Sequence, residues 1–181
     1  DGEEYANLTT KAAQKARDEA RTRGKVPILA ETERDALALA AVLRERLAEF
    51  DIELSGRSEA AVFWREKAKD GTLVSCRGRL DHWREDIATI YDLKIVRSGH
   101  LKACQSHLVG YGGDIQAAAY VSAMSSVYPD LAGRLRFVFL FCEAETGTVT
   151  PVCRGASMRD LGARRWKRAV NTWSRCLRTN H

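Results

Sequence analysis

No part of this 181-residue chain is apolar over the roughly 20 residues that a membrane-spanning helix needs, so no such helix is expected in it. The first residues are acidic and lack the apolar core of a secretory signal, which predicts a cytoplasmic protein. Cysteine is sparse: Cys76, Cys104, Cys142, Cys153 and Cys176 are odd in number, and none stands in a Cys-x-x-Cys pair. Zinc-ribbon and thioredoxin-like sites are thereby excluded, and free thiols are expected. Internal repeats and low-complexity tracts are also missing. At this length, with 45% hydrophobic residues, residues 1–181 suit one domain with a buried core and are too few for two plus a linker.

Most of the chain also lacks a charge excess. Lys and Arg number 13 against 15 Asp and Glu over residues 1–70, 8 against 8 over 71–153, and 8 against 1 over 154–181. The net charge of +5 is therefore C-terminal in origin. That segment holds Arg164-Arg165-Trp166-Lys167-Arg168, with Leu161, Val170, Trp173 and Leu177 at roughly helical spacing, which predicts an amphipathic helix. Its basic side, Arg164, Arg165, Lys167 and Arg168, suits DNA phosphates and would give sequence-independent, salt-sensitive affinity. A solvated cationic face or a subunit contact, with the tryptophans packed on a sheet, explains the same pattern. Arg154 and Arg159 divide the same way.

What is present is most specific between residues 72 and 96. Residues 72–81 and 87–96 are rich in β-branched and apolar side chains, and the polar Arg84-Glu85-Asp86 between them suits a turn. A β-hairpin turning at Asp86 and Ile87 sets Asp81 opposite Asp92, with Cβ atoms roughly 4.5–5.5 Å apart. Lys94 shares the face of Asp92. Like charges directly opposed on a sheet are destabilising, and a divalent cation removes that conflict. Mg²⁺ is typically held by one or two carboxylates plus waters and substrate phosphates, and with a nearby lysine it supports phosphodiester hydrolysis. An isolated Asp-x-Lys on a strand is most often a surface ion pair. Here the triplet lies between Ile90-Tyr91 and Ile95-Val96, which reads as a central strand covered on both faces.

The remaining elements follow from periodicity and punctuation. Helices are expected near 9–23, 31–48 with its cap at Glu31-Thr32, and 114–127 ended by Pro129. Strands are expected near 58–66, 134–142 and 148–153, the last two joined by a turn at 145–147. Residues 99–113 read as an irregular, glycine-containing loop after the Asp92 strand, with His107 and Tyr111 as local structural residues. The pattern is α/β. Gln116 and Tyr120, four apart, share one helical face.

Three segments, Gly78-Arg79-Leu80-Asp81, then Tyr91-Asp92-Leu93-Lys94, then Gln116-Ala117-Ala118-Ala119-Tyr120, resemble in order and spacing the PD-(D/E)XK nuclease superfamily. Within it they are most similar to the RecE-type, exonuclease VIII-like branch related to RecB nuclease domains. The likeness covers nearly the whole chain. Residues 10–47 resemble the lead-in to that core, 58–64 its first strand and 134–152 its later strands.

The resemblance implies a restriction-endonuclease-like core: a central mixed β-sheet flanked by helices. It implies Asp81 and Asp92 as metal ligands, the Leu93 carbonyl as a further one, and Lys94 as the catalytic lysine. Gln116 and Tyr120 match the family's Gln-x-x-x-Tyr motif, and Glu59 stands where an upstream acid assists the metal. The implied activity is a Mg²⁺-dependent exonuclease, with Mn²⁺ as substitute, acting on double-stranded DNA ends in phage or bacterial recombination. A single-strand annealing partner and a ring-like homo-oligomer belong to the same expectation. Lacking cysteine clusters, the chain stands apart from the iron–sulfur members.

One departure stands out. The family carries a histidine on a helix before the core, and none precedes His82 here, which as neighbour of Asp81 points to the other face of a strand. The chain begins at Asp1 rather than a methionine, so either the histidine lay upstream or this copy lost it. Two alternatives stay open: a catalytically impaired DNA-end-binding module, and an endonuclease of the same fold.

Overall fold

A long hairpin sets the frame of the computed structural model, which describes residue 5 and residues 7–179. Strands β1 (Arg57–Lys67) and β2 (Leu73–Arg84) pair antiparallel from Arg57 with Trp83 to Lys67 with Leu73, leaving out Glu59 and Asp81. Residues 68–72 close the turn: the Ala68 amide donates to Thr72 O, and the Thr72 amide to the Asp70 carboxylate. A second turn, in which Arg84 grips Asp86 with two hydrogen bonds, leads into β3 (Thr89–Val96).

Only the end of β2 pairs with β3, through His82 with Tyr91, Trp83 with Ile90 and Arg84 with Thr89. Continuing this register sets Asp81 against Asp92, as the turn position predicts. Strand β3 then pairs in parallel with β4 (Arg136–Glu143), and β4 antiparallel with the edge strand β5 (Val149–Cys153). The result is a five-stranded mixed sheet in the order β1-β2-β3-β4-β5. A parallel pair needs a crossover of a dozen or more residues. Helices α3 (Leu101–Gly110) and α4 (Gly113–Val127) and a 3₁₀ helix (Pro129–Arg134) supply it. Before the sheet come α1 (Lys11–Thr22) and α2 (Ala30–Ala48), and α5 (Ala156–Thr179) follows it.

Helices cover both faces. Leu43 and Leu47 of α2 pack on Tyr91, Val138, Leu140 and Cys142. On the other face α3 and α4 bury Cys104, Leu108, Ala117, Ala123 and Met124 against Ile90, Phe137, Phe139 and Phe141. Strand β4 is thus apolar toward both sides, the signature of a doubly covered strand. The chain is an α/β domain with a central mixed sheet flanked by helices, as expected. All five cysteines are free. Among the described residues no helix is long and apolar enough to cross a membrane.

Three expectations are corrected. Residues 99–113 are not irregular: they contain α3, capped by the His100 ring accepting from the Lys102 amide. His107 lies in this helix, its ring 4.5 Å from Tyr111 and edge-on to Phe141 at 5.6 Å. Helix α2 starts at Ala30 without a side-chain cap, so Glu31 and Thr32 lie inside it. The apolar side assigned to the C-terminal helix is also wrong for three of four residues, since Leu161, Trp173 and Leu177 are exposed. The buried seam of α5 is Gly162, Val170 and Ser174, with Trp166 partly buried between them. A Cβ on Gly162 would meet the backbone of Asp114, so bare glycine lets α5 approach α4 closely.

Candidate active site

The site forms where β2 leaves β3. Below this point, Leu80 of β2 and Ala60 of β1 pack toward α4. Above it, the partners His82 and Ser58 face the other way, with the His82 ring bonded to Ser58 Oγ and the Ser55 carbonyl and tilted on Tyr91. Leu80 and Trp83, three apart, nevertheless share one core cluster. Side chains three apart in an unbroken strand point to opposite faces. The pleat therefore changes phase at Asp81, opposite Glu59, whose φ of 54° lies in the left-handed region. A non-glycine residue held there costs of order 1 kcal/mol or more and marks a site where the surroundings override local preference.

This phase change exposes the β3 edge to a side chain rather than to a strand. The Leu93 amide donates to Asp81 Oδ2 at 2.9 Å, where a ladder carbonyl would otherwise accept. On β3, Asp92 is 2% exposed. Its Oδ1 accepts from Gln116 Nε2 at 2.6 Å, and its Oδ2 lies 2.6 Å from Lys94 Nζ. That second oxygen is buried, and Lys94 is its one close partner among the described residues. Burial pushes the Asp92 carboxyl up, Lys94 pulls it down, and the Asp81 charge pushes it up again; burial wins.

Tyr120 acts on the backbone. Its hydroxyl donates to the Arg79 carbonyl at 3.0 Å, and its ring lies over Gly78 where any Cβ would collide. Gln116 thus holds a carboxylate while Tyr120, one turn on, fixes the strand that presents Asp81.

A cation requirement can be tested on this donor set. Asp81 Oδ1 has no partner among the described residues, Asp92 Oδ2 meets only the Lys94 ammonium, and the Leu93 carbonyl leaves β3 on the side of its amide. Among the described residues no group of three or more His, Cys, Asp and Glu gathers anywhere. Two carboxylates and a carbonyl are too few for a closed zinc or calcium cage but suit Mg²⁺, which keeps waters and borrows substrate oxygens. The residues fit that ion.

Other candidates are not brought to this cluster. Glu59 is turned to Arg79, 2.8 Å away, in an exposed ion pair. Arg165 spans to Asp114 at the start of α4 at 2.9 Å, so it closes a helix–helix contact rather than facing outward. Arg164, Lys167 and Arg168 line an open cleft with Lys69, Arg175 and Arg178 at the tip of the long hairpin. Of the tryptophans in this helix, Trp166 packs on Trp64 and donates to Glu66, whereas Trp173 is exposed. Arg154 lies over the Phe137 ring at 5.7 Å with its pKa lowered by burial, and Arg159 reaches back to the Arg154 carbonyl. Sequence reasoning missed the Asp114 and Arg165 pair, for which spacing gives no signal.

Comparison with solved structures places the fold. A protein from Eubacterium rectale named a "putative exonuclease" superposes with a TM-score of 0.63 at 15% identity, covering 92% of this chain. This chain spans 61% of the length of that protein. The protein SSO0001 superposes with a TM-score of 0.39 at 14% identity, covering 83% of this chain and 60% of its own, too weak a likeness to carry any argument. No family model and no curated protein matches the sequence.

Proposed function

We propose that this domain is a Mg²⁺-dependent deoxyribonuclease that hydrolyses double-stranded DNA from its ends. The observation that carries the reading is the cluster at the β2 and β3 divergence: Asp81 on the Leu93 amide, and buried Asp92 between Lys94 and Gln116. The fold shared with a protein named an exonuclease supports it.

Bound between Asp81, Asp92 and the Leu93 carbonyl, Mg²⁺ would polarise the phosphoryl group and acidify a water. Asp92, whose burial outweighs the help of Lys94, would gain most from a bound cation. Gln116 keeps that carboxylate oriented, so it would meet a cation without reorganisation. Lys94, 26% exposed, is free to meet a developing phosphate charge once its carboxylate partner is otherwise neutralised. Tyr120 holds β2 at Arg79, which keeps Asp81 at its distance from Asp92. The α5 cleft with Arg164, Lys167 and Arg168 would contact the duplex backbone and make binding salt-sensitive.

Linear and covalently closed circular duplexes, each with Mg²⁺, Mn²⁺ or EDTA, test the reading. Metal-dependent nucleotide release from linear DNA alone is expected, and it is expected to vanish in Asp92→Ala. Cutting of closed circles would make the activity endonucleolytic. End binding without release would make the domain a binding module, and full activity in Asp92→Ala would place the chemistry elsewhere. Light scattering with and without DNA ends reads out the ring assembly and any annealing partner added.

A further inference from the structure

The inner face of the long hairpin is covered, and its outer face is not. Trp64, Val74 and Cys76 lie beneath α4 and α5, packed with Trp166 and Val170. The alternate residues look outward, and the register sets Phe63 directly opposite Arg77, Arg65 opposite Ser75, and Lys67 opposite Leu73. Phe63 is 73% exposed, the most exposed aromatic on a strand, and it stands beside cations on a face that no helix covers. Arg65 and Arg77 beside it are exposed, as is Lys67 nearer the hairpin tip, and none enters an ion pair among the described residues. No acid points outward among them; Glu59, at the cleft end, is taken up by Arg79.

We propose that this open face is a binding track for single-stranded nucleic acid, with a base stacked on Phe63 and phosphates met by Arg65, Lys67 and Arg77. The proposal rests on the nuclease reading above and deepens it by naming the form of substrate that lies beside the cleft. Charge complementarity selects the occupant: unpaired cations beside a flat ring and further along its strand match a polyanion whose units each carry an aromatic face. An extended duplex offers no unstacked base to that ring. Position agrees, because Arg77 and Arg79 precede Asp81 on one strand. With a rise of about 3.4 Å per residue, the Phe63 and Arg77 pair lies roughly 14 Å from Asp81, a few nucleotides away.

The test is fluorescence anisotropy in EDTA with a labelled oligothymidylate of about 15 nucleotides and a blunt duplex, over a salt series. Phe63→Ala is expected to weaken single-strand binding roughly five- to a hundred-fold with an unchanged salt slope. The double variant Arg65→Glu, Arg77→Glu is expected to weaken it at least about ten-fold and to lower the slope by about 1.4, two phosphate contacts at about 0.7 each. Both alter exposed side chains, and circular dichroism melting checks that they fold. Unchanged affinity and slope in both folded variants would overturn the track, as would an equal loss toward the duplex. A change in oligomer size with oligonucleotide affinity intact would put a second copy on this face and overturn it as well. Cleavage by the wild-type chain in Mg²⁺ is scored separately. Cleavage with insensitive variants sinks the track alone, and sensitive variants with no wild-type cleavage support the track while sinking the nuclease reading.

Discussion

Asp92→Asn is expected to make the metal-free protein more stable while removing its response to Mg²⁺. The substitution keeps size and shape and leaves an oxygen to accept from Gln116 Nε2, so packing is conserved around a residue 2% exposed. What it removes is a charge whose burial outweighs the help of Lys94 and Gln116, which is why the carboxyl titrates above its ordinary value. A folded state that holds the proton more tightly than the unfolded chain loses stability as pH rises, and that loss is complete above the folded pKa. Asparagine carries no such loss. Lys94 loses its partner, but it is 26% exposed and can hydrate. Relief of this kind is worth about 1 kcal/mol, or roughly 2–4 °C in Tm for a domain of this size. Thermal melts in EDTA at pH 7 should show the gain, and melts approaching about pH 4 should show it shrinking as the wild-type carboxyl is protonated. Added Mg²⁺ should then raise the wild-type Tm and leave the variant where it was. A variant less stable than wild type in EDTA at pH 7 would refute the reasoning, because the ion pair would then outweigh the burial.

The same geometry yields three further expectations. Gln116→Leu removes a hydrogen bond that favours the charged form of Asp92, so the acid limb of the metal-binding or rate profile should move to higher pH; an unmoved limb would sever Gln116 from Asp92. Gly162→Ala should destabilise by about 1–3 kcal/mol in urea titration, even though alanine is the better helix former by about 1 kcal/mol, because its Cβ meets the Asp114 backbone rather than a side chain that can rotate away. Arg165→Met should cost about 1–3 kcal/mol by leaving buried Asp114 unpaired, whereas Lys167→Ala and Arg168→Ala should stay within about 0.5 kcal/mol and instead reduce the salt dependence of DNA binding.

The fold was legible wherever local chemistry and tertiary need agree. The turn at Asp86 fixes the hairpin register because β-forming residues flank it on both sides, and the Phe137, Phe139 and Phe141 run can only be a buried strand. Helix α3 was not legible, because it buries only Cys104 and Leu108, one pair of positions four apart, and ends among glycines that read as loop. Helix α5 misled for a different reason. Its seam is set by how closely it approaches α4 and the hairpin tip, so beside Trp166 and Val170 it uses Gly162 and a Ser174 hydroxyl that donates to Asp70, while Leu161, Trp173 and Leu177 stand outside. Hydrophobic periodicity reports burial by apolar groups and cannot report a seam built on closeness and a polar anchor.

At the candidate site the sequence carries the residues but not the break that makes them usable. Spacing alone sets Asp81 against Asp92, yet in a regular ladder Leu93 would bond to a β2 carbonyl and the two acids would face each other across a closed sheet. Instead the pleat changes phase at Asp81 and Glu59, and the Asp81 carboxylate takes over the ladder's acceptor role. The cost is a left-handed Glu59, and what holds it is visible: Glu59 is tied to Arg79, and Arg79 is held through its carbonyl by Tyr120. Glu59 is then a positioning residue for the opening rather than part of the carboxylate cluster. Replacing it with glycine, which adopts φ of 54° without strain, should keep the opening, whereas valine should drive the strand back toward regular pairing. Metal-induced stabilisation distinguishes the two, and loss of that signal in the glycine variant would return Glu59 to the ligand set.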